Sequence, residues 1–277
     1  MNVLEFSLLV WIGSFMAGFL GALTGLGGGV VIVPLLTSVF GVDIRYAIGA
    51  SLVSVIATSC AAASSYIRQG YTHLRLGMFL EVATTLGAII GALLATVIPL
   101  KLLTLVLAIV LLYSAYLAQQ PRSEEYSIAS DNSIAHHLKL NGTYPTPDGM
   151  RAYQPYSVPF GFGLMSLAGV LSGLLGIGSG ALKVLAMDQV MRLPFKVSTT
   201  TSSFTIGVTA AVSAGVYLAR GYIDPGLSMP VMLGVFPGAL LGAKALAGTN
   251  VSVLRVVFSL VLVVMSFKMV YNTLGGI

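Results

Sequence analysis

The chain has 277 residues, 56% of them hydrophobic and only 8% charged, with a mean hydropathy of +0.94. A water-soluble domain carries about 25% charged residues, so a soluble globule is excluded and an integral membrane protein is indicated. The net charge of +5 is too weak and dispersed for a nucleic-acid partner. It belongs on loops, subject to the positive-inside bias.

A single cysteine, Cys60, rules out an internal disulfide and a cysteine metal cluster. It reads as a small buried hydrophobe. His73, His136 and His137 lack metal-ligand spacing, and the last two read as solvated. No metal and no cofactor are expected.

A helix crossing the hydrocarbon core needs about 20 apolar residues. In chain order, the apolar runs predict a first span over about 5–23, which no small-residue cleavage site follows, so it is not read as a removable signal peptide. A glycine break, Gly25-Leu26-Gly27-Gly28-Gly29, comes next, then a short apolar piece over 30–40. Further spans are predicted over about 44–67, 76–97 and 100–118. The only long polar stretch, 119–155, reads as an extramembrane linker. The pattern then returns: a span over about 156–175, a second break at Gly176-Ile177-Gly178-Ser179-Gly180, a short piece over 181–191, and spans over about 197–219, 227–247 and 251–271.

Residues 17–92 slide onto 168–243 without a gap, a shift of 151 that leaves 21 of 76 positions identical. Gly25, Gly27 and Gly29 meet Gly176, Gly178 and Gly180; Gly70-Tyr71 meets Gly221-Tyr222; Gly87-Ala88 and Gly91-Ala92 meet Gly238-Ala239 and Gly242-Ala243. The expected fold class is therefore an all-α polytopic membrane protein of two tandem homologous repeats. Each repeat has four full spans plus one short or broken helix, giving 8–10 transmembrane segments. The first repeat occupies 1–118, the linker 119–155 and the second repeat 156–277. If the short pieces cross, the repeats are inverted. In that arrangement Arg68, Arg75, Arg122, Lys139, Arg151, Arg192, Lys196 and Arg255 gather on one side against Arg45, Lys101, Arg220 and Lys268 on the other. Charge bias thus favours inversion. The Gly-xxx-Gly pairs read as helix-packing surfaces.

Glycine in a helix interior costs about 1 kcal/mol relative to alanine, and non-helical backbone at membrane depth is tolerated only where protein or a cavity shields it. The two breaks, with Thr24 just before the first, are therefore candidates for an anion site. Each would present the N-terminus of the following short helix. The plain alternative is a kink or a tight helix crossing. The helix after each break carries hydroxyls on one face: Ser51, Ser54 and Thr58, and in the second half Thr201, Ser202 and Thr205, with Thr209 as mate of Thr58. Helix–helix glue is the alternative for these. Lys183 lies three residues past the second break, where its first-half mate is Ile32. A lysine within a span is costly and usually functional. It is the candidate counter-charge for an anion, unless it pairs with Asp188 or snorkels. Glu81, inside a predicted span, and Asp188 are the candidate coupling acids, whereas Lys244 reads as snorkelling from a helix end. No constellation for hydrolysis or nucleotide binding is present, so no enzyme is expected.

The breaks Gly25–Gly29 (through Pro34) and Gly176–Gly180, the Ala50-Ser51 and Thr201-Ser202 elements, and the Gly70-Tyr71-Thr72 and Gly221-Tyr222-Ile223-Asp224 stretches resemble those of the TauE/SafE family, the sulfite exporters. The resemblance spans nearly the whole chain except 119–155. It implies a multi-pass inner-membrane transporter of sulfur-containing or organic anions such as sulfite, thiosulfate or sulfonates. The chain departs from the pattern in its second half: Ser179 stands where the first half has Gly28, Leu185 replaces the mate of Pro34, and Lys183 adds a charge. The reading is a transporter working by alternating access, with a small anion and the lipid bilayer as partners and self-association left open. Its rival is an anion channel with a continuous pore lined by the same residues. A membrane-embedded assembly or sensor subunit is a third option, which the short loops argue against.

Overall fold

The computed structural model describes residues 3–24, 27–68, 70–119, 133–146, 149–245 and 251–275. Its helices are α1 (Val3–Thr24), α2 (Gly29–Ser38), α3 (Ile44–Arg68), α4 (Leu74–Val97), α5 (Leu100–Gln119), α6 (Ser133–His137), α7 (Val158–Leu175), α8 (Gly180–Leu185), α9 (Phe195–Ala219), α10 (Pro225–Ala245) and α11 (Val251–Gly275). α8 runs on into a π-turn, Ala186–Val190. By length and composition, and among the described residues, α1, α3, α4, α7, α9 and α10 are each able to cross a bilayer.

The polarity of the bundle is inside out. Leu86, Ile90, Leu93 and Val97 of α4 and Phe160 and Leu167 of α7 are exposed, while Ser14, Ser51, Ser54, Thr205 and Thr209 are buried. Water would penalise that apolar outer surface, whereas lipid tails match it.

Helix starts recur at one spacing. Gly29, Ile44, Leu74 and Leu100 open α2, α3, α4 and α5; Gly180, Phe195, Pro225 and Val251, each 151 residues later, open α8, α9, α10 and α11. The packing recurs as well. In α4 and α7, a Cβ on Gly87 or Gly91 would meet the carbonyl oxygen of Ser166 or Val170; in α10 and α1, a Cβ on Gly238 or Gly242 would meet that of Phe15 or Phe19. These helix pairs run parallel, with backbones close enough that only glycine fits.

Other pairs run antiparallel. Ser259 Oγ of α11 donates to the Ala115 carbonyl of α5 at 3.1 Å, and Ser266 Oγ donates to that of Ala108 at 2.9 Å. α3 and α9 are also opposed: Gly49 lies against Tyr222, just past the end of α9, while Ser59 Oγ, further along α3, donates to the Ser203 carbonyl early in α9.

The polar 119–155 stretch is more than a solvated linker where it is described. After α6, strands β1 (Gly142–Thr146) and β2 (Gly149–Tyr153) form an antiparallel hairpin with Gly142 opposite Tyr153. Leu140, Tyr144 and Tyr153 pack with Leu76 and Leu80 of α4 and with Met187 and Met191. Two inward-facing tyrosines on a short hairpin supply too weak a periodic signal to stand out in sequence, yet enough apolar area to dock it. His136 and His137 are exposed, as expected. Cys60, expected to be buried, is exposed on α3, because residue 60 falls on that helix's outward side.

Candidate functional site

The second break is built from left-handed backbone. Gly176 and Gly178 have φ of 66° and 73°, and Ser179 follows at 46°. Glycine adopts this region freely; serine pays for it sterically, so Ser179 marks stored strain. Its Oγ is buried and has no hydrogen-bond partner among the described residues. In the first break Gly27 has φ 83°, but Gly28, the position equivalent to Ser179, is right-handed at −65°. The two breaks are thus unequal in backbone as well as in sequence.

The breaks meet. Ser51 Oγ of α3 donates to the Gly176 carbonyl at 2.7 Å and lies 3.3 Å from that of Gly29. A Cβ on Gly29 would sit 3.1 Å from the Gly176 oxygen. Across the pseudo-equivalent position, Ser202 Oγ lies 3.5 Å from the Gly180 carbonyl. Val55 and Ile206, themselves 151 residues apart, close over Gly178. Residues from both halves of the chain therefore form one centre, wholly inside the bundle.

Most of the hydroxyl stripe is engaged with backbone. Ser54 donates to the Ser51 carbonyl, Thr58 to Ser54 and Val55, and Thr205 to Ser202. Each hydroxyl has one proton to give, so these groups reach an anion only by switching rotamer. Thr201 plays another part: its Oγ1 accepts the His73 backbone N–H at 3.1 Å and ties the start of α4 to α9. Beside it, burial first and Arg75 second hold the His73 imidazole below its usual range, and its ring packs edge-on to Tyr153 of the hairpin.

The charged core of the site is Lys183. It is fully buried, and its Nζ donates to Thr209 Oγ1 at 2.5 Å. Thr209 in turn donates to Glu81 Oε1 at 2.7 Å, and Thr85 reaches the same oxygen at 3.3 Å. Thr84 lies 3.4 Å from Thr209. Lys183 Nζ is 3.7 Å from Glu81 Oε2, which has no hydrogen-bond partner among the described residues. An isolated charge here would be prohibitive. The pair, with threonine hydroxyls around it, makes it tolerable.

Lys183 thus pairs across the bundle with Glu81 of α4, the first of the two candidate coupling acids. Asp188, the other, lies part-buried on the π-turn. In the sequence Thr209 stands out only as the mate of Thr58, and Thr84 and Thr85 do not stand out at all. The i+4 step from Thr205 to Thr209 was the available signal. Lys244 is exposed in the last turn of α10. Gly25 lies outside the described residues, and of Thr24 only its place at the end of α1 is described.

Beside the first break lies a small cleft, lined by Gly21, Gly27, Thr58, Ser59, Ser203 and Ile206 among others. The positions 151 residues on from Gly27 and Thr58 are Gly178 and Thr209, at the Lys183 end of the centre. Among the described residues no group of three histidine, cysteine or acidic side chains is placed to hold a metal ion.

Long apolar helices, polar side chains turned inward and broken helices meeting at a buried charge define a multi-pass membrane protein of the transporter class. A family profile described as Sulfite exporter TauE/SafE matches residues 10–269, and the chain belongs to that family. It is 26% identical over 277 residues to Probable membrane transporter protein YunE of Bacillus subtilis (strain 168), covering 97% of this chain and 98% of the relative. It is 29% identical over 238 residues to Probable membrane transporter protein YdhB of the same organism, covering 86% and 89%. It is 23% identical over 271 residues to Probable membrane transporter protein ORF9 of a Sinorhizobium species, covering 97% and 95%. No solved structure matches the chain.

Proposed function

We propose that the protein moves a small sulfur-containing or organic anion, of the sulfite, thiosulfate or sulfonate class, across the inner membrane by alternating access. The anion sits where the two breaks meet, on Lys183, with Ser179 as the hydroxyl nearest in sequence. The observation that carries this reading is a fully buried lysine on the short helix that follows a strained break. A span lysine is retained at such cost chiefly for ligand or ion handling. The family's name supports the substrate class.

Inverted repeats supply the movement. Helices 151 residues apart, α3 with α9 and α5 with α11, pack antiparallel, while α1 with α10 mirrors α7 with α4. Such an exchange is what a two-fold axis in the membrane plane produces. Rocking of one bundle against the other about that axis would open the centre to either side.

The test is calorimetric titration of the purified protein with sulfite, thiosulfate, sulfonates and carboxylates. The wild type is expected to bind at least one sulfur oxyanion saturably, and Lys183→Ala to bind it at least tenfold more weakly while remaining folded. Unchanged affinity in Lys183→Ala removes Lys183 from the site.

A further inference from the structure

We infer that Glu81 and the transported anion are alternative counter-ions for Lys183, so that each anion enters the site together with one proton taken up by Glu81. This rests on the anion site proposed above and adds its coupling ion. The inference starts from occupancy. The one cation of the site is already engaged: Glu81 Oε2 stands 3.7 Å from Lys183 Nζ, and Thr209 bridges the lysine to Glu81 Oε1. An anion arriving at Lys183 would face a carboxylate a few ångströms away, and two negative charges sharing one buried cation repel strongly.

Protonation removes the conflict. The carboxylate takes a proton from solution and becomes a neutral acid through a new O–H bond on Glu81; Lys183 stays an ammonium; the anion supplies the missing negative charge. For a monovalent anion the buried net charge is zero before and after, as a low-dielectric site demands. The unpartnered Oε2 is the natural seat for the proton. The neighbouring threonine hydroxyls accept as readily as they donate.

Among the described residues the elements around the pair carry few other charges; Asp188, the other acid, lies part-buried on the π-turn five residues past Lys183. On α8 the charged group is Lys183 itself. α7 carries no ionisable side chain, and those of α9, Lys196 and Tyr217, lie near its two ends. On α4 the other is Arg75, at the start of the helix. From α9 the groups facing Glu81 and its partners are the hydroxyls of Thr209 and, through its carbonyl, Thr205. The pair is also unique to one half. The positions 151 residues from Lys183 and Glu81 are Ile32 and Met232, so the proposal assigns one proton per chain per cycle rather than two.

The experiment uses methanesulfonate and thiosulfate, both fully ionised over the range used, about pH 5.5 to about pH 7. Binding to the detergent-solubilised wild type in weak buffer is followed with a pH indicator, and Kd is measured across that range. The expected result is close to one proton taken up per methanesulfonate bound, and a Kd that rises with pH by up to about tenfold per unit. In Glu81→Gln, which is permanently neutral, that slope disappears. A purely structural ion pair would not move the slope. Wild-type binding without proton uptake overturns the coupling and leaves the anion site standing, as does a Glu81→Gln protein that keeps the wild-type slope. Failure of the wild type to bind either anion overturns the anion-site reading and the coupling with it. The proton count needs no variant, so misfolding of Glu81→Gln does not remove the test.

Discussion

At the residue scale a charge pair, Lys183 with Glu81, crosses the bundle. Lys183 was legible in the sequence because one cation interrupts an apolar run directly after a glycine break. Its partner was not. Glu81 lies 102 positions earlier, near enough to the start of its span to pass for an interfacial acid, and only packing of α4 against α9 brings it to Thr209. Breaking a buried pair by removing one partner costs about 3–5 kcal/mol, whereas replacing both by apolar residues of similar size is often neutral. Lys183→Met is therefore expected to lower stability by several kcal/mol at neutral pH. The Lys183→Met/Glu81→Met double variant should regain most of that loss, as read by thermal unfolding in detergent. A double variant that loses the sum of the two single losses would show that the pair is not coupled.

At the element scale, the long helices were legible because hydropathy alone delimits them: runs over 44–67 and 100–118 became α3 and α5 within a residue or two at either end. The hairpin after α6 was not, because its strands owe their order to Tyr144 and Tyr153 docking on α4 and the π-turn region. The stripe of hydroxyls was legible, but its hydrogen bonding to backbone was not, since that depends on rotamers. The glycine pairs behave as packing surfaces. Gly91 sits against the Val170 carbonyl and Gly242 against that of Phe19, whereas Gly163 of α7 has open space around it. Gly91→Ala and Gly242→Ala should each destabilise by about 1–3 kcal/mol through overpacking. Gly163→Ala should be neutral or stabilise by up to about 1 kcal/mol through helix propensity. Equal melting temperatures for all three would show that these helix pairs are not in close backbone contact.

At the scale of the whole molecule, two unequal halves share one centre. On the inverted-repeat reading proposed above, the repeated spacing of helix starts, the antiparallel pairing of α3 with α9 and of α5 with α11, and the parallel exchange of α1–α10 with α4–α7 belong together as one symmetric frame. The frame carries an asymmetric load. The second half supplies the strained Ser179, Lys183 and Thr209; the first supplies Glu81 and the Ser51 link between the breaks. Symmetry of the scaffold would let both sides open in turn, and asymmetry of the centre would keep a single anion site on the path between them. Counterflow in proteoliposomes probes this directly: vesicles loaded with unlabelled thiosulfate or sulfite are placed in a trace of the labelled anion. Alternating access through Lys183 predicts saturable, transient accumulation of label that depends on the loaded anion and is abolished in Lys183→Ala. Flux that rises without saturation and shows no stimulation by anion on the far side would mark a continuous pore and contradict it.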